Sequence, residues 1–154
     1  MILRRAGLYD MDALARLYRD TVRRALPFLP ELHTPDEDRA FFRGTLFDDF
    51  DVWVAEHDQR FLGYIAFRAG FINHLFVAAD QLGRGLGVQL LDLAKAEYAE
   101  LALWTFQENA RARAFYEKHG FTAERLTDGQ DNEERMPDVY YVWRRPVSGA
   151  GRVT

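Results

Sequence analysis

Phe71-Ile72-Asn73-His74-Leu75-Phe76-Val77 leads through Ala78-Ala79-Asp80-Gln81 into Leu82-Gly83-Arg84-Gly85-Leu86-Gly87. The first seven residues are rich in aromatic and aliphatic side chains and read as a strand. From Leu86 to Tyr98, Val88, Leu91, Ala94 and Tyr98 recur at helical spacing, and Leu90 and Leu93 widen that face. Three glycines therefore sit where a strand becomes a helix. Glycine lets the backbone approach a ligand closely, and the free N–H groups and dipole of a helix start attract anions. The turn has two readings: a plain turn, or a phosphate cradle best suited to a pyrophosphate. A Walker loop loses ground, because no lysine followed by Ser or Thr closes the glycines. A dinucleotide fold places its glycine turn after the first strand, with an acid ~20 residues on. Here the turn follows four predicted strands.

Working toward the N-terminus, Phe61 to Phe67 and Val52 to Ala55 read as strands, separated by the polar turn Glu56 to Arg60. Thr34 and Glu37 form a capping-box pattern opening a helix toward Leu46. Pro27 to Pro35 is a loop carrying Glu31 and His33. Before it, Leu14, Leu17, Tyr18 and Val22 mark a helix that Asp10 is expected to cap, and Ile2 to Ala6 is a first strand. Toward the C-terminus, Leu101 to Phe106 reads as a short strand, with Trp104 expected in the packed interior or else as a wall of a ligand pocket. Asn109 is a preferred N-cap for a helix marked by Ala112, Phe115, Tyr116 and His119, and Gly120 is its natural stop. Phe121 to Leu126 and Val139 to Arg144 are the last strands. The acidic insert between them, Thr127 to Asp138, is too long for a tight hairpin and reads as a solvated loop or as a lure for a cationic amine.

The chain has 154 residues, 48% hydrophobic and 14% aromatic, which suffices for a core without disulfides or metal. A single α/β (α+β) domain over 1–146 is expected, with a frayed tail over 147–154. Cysteine is absent, which removes disulfides, thiolate metal sites and a cysteine nucleophile. The four histidines, His33, His57, His74 and His119, lack metal-ligand spacing, so no metal is expected. A net charge of -4 opposes nucleic acid as the main partner. No apolar run nears the ~20 residues of a membrane span, and the first residues lack a signal peptide's apolar core. A cytoplasmic location is the expectation.

Two motifs in fixed order carry a family resemblance. Leu82-Gly83-Arg84-Gly85-Leu86-Gly87 resembles the Gln/Arg-x-x-Gly-x-Gly/Ala signature of the GNAT superfamily of acetyl-CoA-dependent N-acetyltransferases. The run from Asn109 through Phe115-Tyr116 to Gly120-Phe121 is similar to that family's Asn-x-x-Ala-x-x-Phe-Tyr-x-x-x-Gly-Phe helix and strand. Element order agrees over about Ile2 to Arg145. Leu82 departs from the pattern, with Gln81 one residue early, and Phe71 stands where some members carry a glutamate base.

The resemblance implies a mixed, mostly antiparallel sheet with helices on both faces, splayed after the fourth strand around acetyl-CoA. It implies that the backbone of Leu75, Phe76 and Val77 pairs with the pantetheine arm. It implies further that amides of Leu82, Gly83, Arg84, Gly85, Leu86 and Gly87 hold the pyrophosphate, with Arg84 adding charge. Asn109 would add a cofactor hydrogen bond beside its capping role. Tyr116, whose plain reading is a core tyrosine, is expected to protonate the departing thiolate. His74 is a candidate base, as against a satisfied core histidine or a water relay. The expected reaction is direct attack of a small-molecule or peptide amine through a tetrahedral intermediate, steadied by an amide near Leu75 to Val77. A non-catalytic sensor of CoA or acyl-CoA is the competing reading. A homodimer is a common state among proteins of this resemblance.

Overall fold

The computed structural model describes residues 1–147. The expected tail therefore lies, from 148 onward, outside the described residues. Seven strands form one sheet: β1 (Ile2–Arg5), β2 (Asp51–His57), β3 (Arg60–Arg68), β4 (Phe71–Val77), β5 (Glu100–Phe106), β6 (Thr122–Thr127) and β7 (Asp138–Arg144). Their order is β1-β2-β3-β4-β5-β7-β6. Every pairing is antiparallel except that of β4 with β5. Helix α1 (Met11–Ala25) and helix α2 (Pro35–Phe41) belong to one face, while α4 (Leu86–Glu97) and α5 (Ala110–Lys118) belong to the other.

Two cores follow from that arrangement. Met11, Leu14 and Ala15 of α1 meet Phe42 and Leu46 over Val52, Val54, Tyr64 and Ala66. On the opposite face, Leu90, Leu91 and Ala94 of α4 meet Ile65 and Phe67 of β3 and Leu101 and Leu103 of β5. Residues 62 to 67 of β3 are buried without a break, because that strand is covered on both sides.

Local chemistry explains most boundaries. Thr34 caps α2 as its sequence pattern requires: its hydroxyl accepts from the Glu37 N–H at 3.1 Å, and Glu37 accepts from the Thr34 N–H at 2.9 Å. Helical structure does not end at Leu46. It widens into a π-type turn over Phe42–Leu46 and runs on through α3 (Phe47–Asp49). Asp10 does not cap α1. Its carboxylate turns back, accepting from the Gly7 N–H at 2.8 Å and from the two terminal Arg4 guanidinium nitrogens at 2.8 and 3.1 Å. A buried carboxylate takes a full charge partner in preference to helix amides.

Candidate active site

Strands β4 and β5 share one pair, Phe71 with Ala102, and then part. Past that point β4 keeps β3 on one side and has no strand on the other. Ala78 donates its N–H to Leu62 of the β3 side at 2.8 Å. Backbone groups alternate sides along a strand, so the amides of Val77 and Leu75 point into the opening, and that of Phe76 points to β3. Just below, the pairing slips: Ala66 faces His74 but Phe67 faces Ile72, which leaves Asn73 as a bulge. Strict alternation fails there, and His74 and Ile72 fall on opposite faces of the sheet, each in a different core.

The glycine turn borders the same opening. Gly83 and Gly85 hold φ of 77° and 83°, a left-handed backbone that side chains resist, and a Cβ on either would meet nothing within 4 Å. These two glycines are there for conformation and leave open space above the backbone. The first amide after them with a backbone acceptor is Gln89, which donates to Gly85 at 3.2 Å. Among the described residues the N–H groups of Gly83 through Val88 have no acceptor, so they form the start of α4 as a bare donor set. Gly87 has a different reason. A Cβ there would lie 3.1 Å from the Phe115 ring, so its absence lets α4 close on α5. The two sequence motifs meet at this contact. Leu82 and Arg84 are exposed, whereas the Leu86 side chain is buried and offers the turn only its amide.

Asn109 uses its side-chain oxygen to cap α5, accepting from the Ala112 N–H at 3.2 Å. Its side-chain nitrogen has no partner among the described residues. About two helical turns later Tyr116 is buried, its ring 5.3 Å from Phe121 and 6.1 Å from Tyr141. Burial pushes its pKa upward, so the phenol stays protonated well into alkaline solution.

Residues 48–123 match the family model of the acetyltransferase (GNAT) domain. The chain is 32% identical over 135 residues to an uncharacterised N-acetyltransferase of Archaeoglobus fulgidus, spanning 75% of this chain and 89% of that one. The chain belongs to the GNAT superfamily of N-acetyltransferases. It is also 26% identical over 144 residues to peptidyl-lysine N-acetyltransferase YiaC of Escherichia coli, spanning 92% and 96% of the two chains. Among solved structures, apo YjaB of Escherichia coli superposes with a TM-score of 0.77 at 21% identity, covering 95% of this chain and 100% of that one. The structure of yncA from Salmonella typhimurium with its cofactor acetyl-CoA superposes with a TM-score of 0.68 at 19% identity, covering 97% of this chain and 96% of that one. The sheet that parts after its fourth strand is thus the GNAT architecture.

On the α1 face of this GNAT domain, His74 is enclosed by rings. Tyr18 stacks on it at 5.0 Å, Phe42 and Phe76 meet it edge-on at 5.6 and 5.4 Å, and the Tyr64 hydroxyl shares a 2.9 Å hydrogen bond with its Nδ1. Burial pushes its pKa down to about 3. So weak a base takes no proton from an alkylammonium, and the arrangement is that of a satisfied core histidine. Trp104 departs from expectation in the opposite sense. It is 39% exposed, which sets aside the packed-interior reading, and its ring lies 4.9 Å from Tyr140.

The insert after β6 is an ordered wall. Asn132 donates to the Met136 carbonyl at 2.7 Å and accepts from the Met136 N–H at 3.2 Å. Gln107 donates to the carbonyls of Thr127 and Asp138 at 2.9 and 3.0 Å, pinning both ends. His33 Nε2 meets the Glu133 carboxylate at 2.5 Å, joining the insert to the loop between α1 and α2. The sequence shows two unrelated polar stretches; only the fold makes them one rim. Among the described residues no group of three or more metal-ligating side chains is gathered, and no helix is long and apolar enough to cross a membrane.

Proposed function

We propose that this chain transfers the acetyl group of acetyl-CoA to a primary amine by direct attack of the neutral amine. Acetyl-CoA supplies an activated thioester when bound. The observation that carries the reading is the opening beside β4, where the amides of Leu75 and Val77 stand next to the unpaired amides of Gly83 to Val88. An extended polar arm fits the first set as an added strand, and a pyrophosphate fits the second. The side-chain nitrogen of Asn109 and the guanidinium of Arg84 lie on elements that flank this opening and complete the donor set.

Tyr116 gives its proton to the sulfur as the new N–C bond forms and the C–S bond breaks. A phenol carries its proton at neutral pH, and burial, which pushes the pKa of Tyr116 upward, favours that protonated form. The amine's own proton leaves to water and restores the phenol. Amides facing the opening from β4 stabilise the oxygen on which charge develops. With His74 neutral and partnered, β4 offers no side-chain base, a feature that a non-catalytic CoA sensor would share.

The test is the thermal midpoint with saturating acetyl-CoA, followed by thiol release with a panel of amines. A ligand at a hundred times its Kd adds about 2.7 kcal/mol, or several degrees at this size. Gly85→Glu, which places bulk and negative charge in the turn, is expected to abolish that shift. A retained shift in the variant sinks the pyrophosphate assignment, and a shift without acceptor-stimulated thiol release assigns the protein to the sensor class.

A further inference from the structure

Two cavities flank the acidic insert on the α1 face. One, of about 270 Å³, lies between α1 and the loop that follows it, with Tyr18 and Asp38 in its wall. The other, of about 510 Å³, lies between the insert and the end of β5, against Trp104 and Phe106. The second is in the size range of small-molecule sites, about 300–1,000 Å³, and the first lies just below it. Glu134 lines both.

That carboxylate differs in state from most of those around it; Asp131, in the wall of the second cavity, is likewise without a partner among the described residues but is exposed to water. Asp38 and Glu31 are engaged by Arg19 and Arg23 at 2.7 and 3.1 Å, and Glu133 by His33. Asp138 accepts from Thr127 and, at 3.1 Å, from Asn132. Glu134 is half-buried, yet among the described residues it has neither a hydrogen-bond donor nor a counter-ion. Its field is felt by Tyr18, whose pKa is pushed up to about 12, first by burial and then by Asp38, Glu134 and Glu133. A carboxylate held partly out of water beside aromatic rings is completed by a cation, through an ion pair at the oxygen and a ring face along the stem.

Building on the transferase reading above, we propose that Glu134 selects the acceptor by taking the distal ammonium of an aliphatic diamine or polyamine whose other, neutral amine is acetylated. A free molecule fits better than a polypeptide. The His33–Glu133 contact ties the two walls together beside Glu134, and an extended chain passing between them would have to break it.

The experiment measures kcat/KM by thiol release for α,ω-diamines from diaminopropane to diaminooctane, against monoamines and aminohexanoate of matching length. The wild type is expected to prefer a diamine over its monoamine by about tenfold or more, the scale of one charge-assisted contact, and to reject aminohexanoate. In Glu134→Gln the preference falls toward one. In Asp20→Asn, which removes an exposed carboxylate from α1 outside both cavities, it stays. A preference unchanged in Glu134→Gln, a preference for monoamines, or turnover of a basic peptide but of no diamine each overturns this assignment while leaving the transferase intact. Acetyl-CoA binding without turnover of any amine overturns the transferase reading, and the acceptor assignment with it.

Discussion

At Tyr116, the proposed reaction asks one side chain to serve both packing and chemistry. Its ring belongs to the core between α5 and the sheet, and its phenol stays protonated because burial disfavours the phenolate. Tyr116→Phe keeps the ring and removes the proton, so kcat is expected to fall about 10²-fold with acetyl-CoA affinity retained. Because the shift is upward, the wild-type rate should show no loss from phenol ionisation below the ordinary tyrosine pKa of ~10. An unchanged kcat in the variant from about pH 6 to about pH 9 would remove the acid role. Asp10 gives a prediction of the opposite sign. Burial resists its ionisation, but the hydrogen bonds from Arg4 and Gly7 outweigh that and hold its carboxyl below the usual range. Asp10→Ala is expected to cost about 2 kcal/mol in urea unfolding at neutral pH. The folded pKa is lowered, so this contribution is complete above ~3.9 and disappears as pH falls below it. A gap between wild type and variant that persists unchanged at about pH 2 would mean the carboxylate is not its source.

Among the elements, the contact of α4 with α5 through Gly87 and Phe115 joins the donor turn to the helix that carries Tyr116. Gly87→Ala should weaken acetyl-CoA binding by about 1 kcal/mol, and Phe115→Leu should relieve that loss, because the added methyl meets the ring. Strictly additive losses by calorimetry would show that the two positions act separately. Helices and strands here were legible wherever local chemistry decides: the Thr34 box, the Asn109 cap and the apolar stripes of α1 and α4 all depend on near neighbours in the chain. The Asn73 bulge, the reversal of Asp10 toward Arg4 and the wide turn after Phe41 were not: the partners of Asp10 lie only six and three residues back, but the choice between capping a helix and pairing with a charge shows only in the folded geometry. The Gly83 and Gly85 turn was readable as a motif, and its distinction from Gly87 only as geometry.

Across the whole molecule, the sheet is two arms, β1 to β4 and β5 to β7, joined by one strand pair and bridged by α4, whose core residues touch both. Hydrogen exchange should register that seam. In the free protein the amides of Leu75 and Val77 are expected to exchange quickly while those of Phe76 and Ala78 are slow, and acetyl-CoA should slow the fast pair. Equal protection of all four without ligand would mean that β4 has a partner on its open side. A sheet with a missing middle strand also has a life outside catalysis. When the nucleotide's arm fills the seam, the free energy of binding adds to that of folding, and the fraction of chains open to a protease falls by the same factor. In a cell, the persistence of this protein would then track the supply of its own acyl donor, so that abundance, set after translation, records the metabolic state the enzyme draws upon.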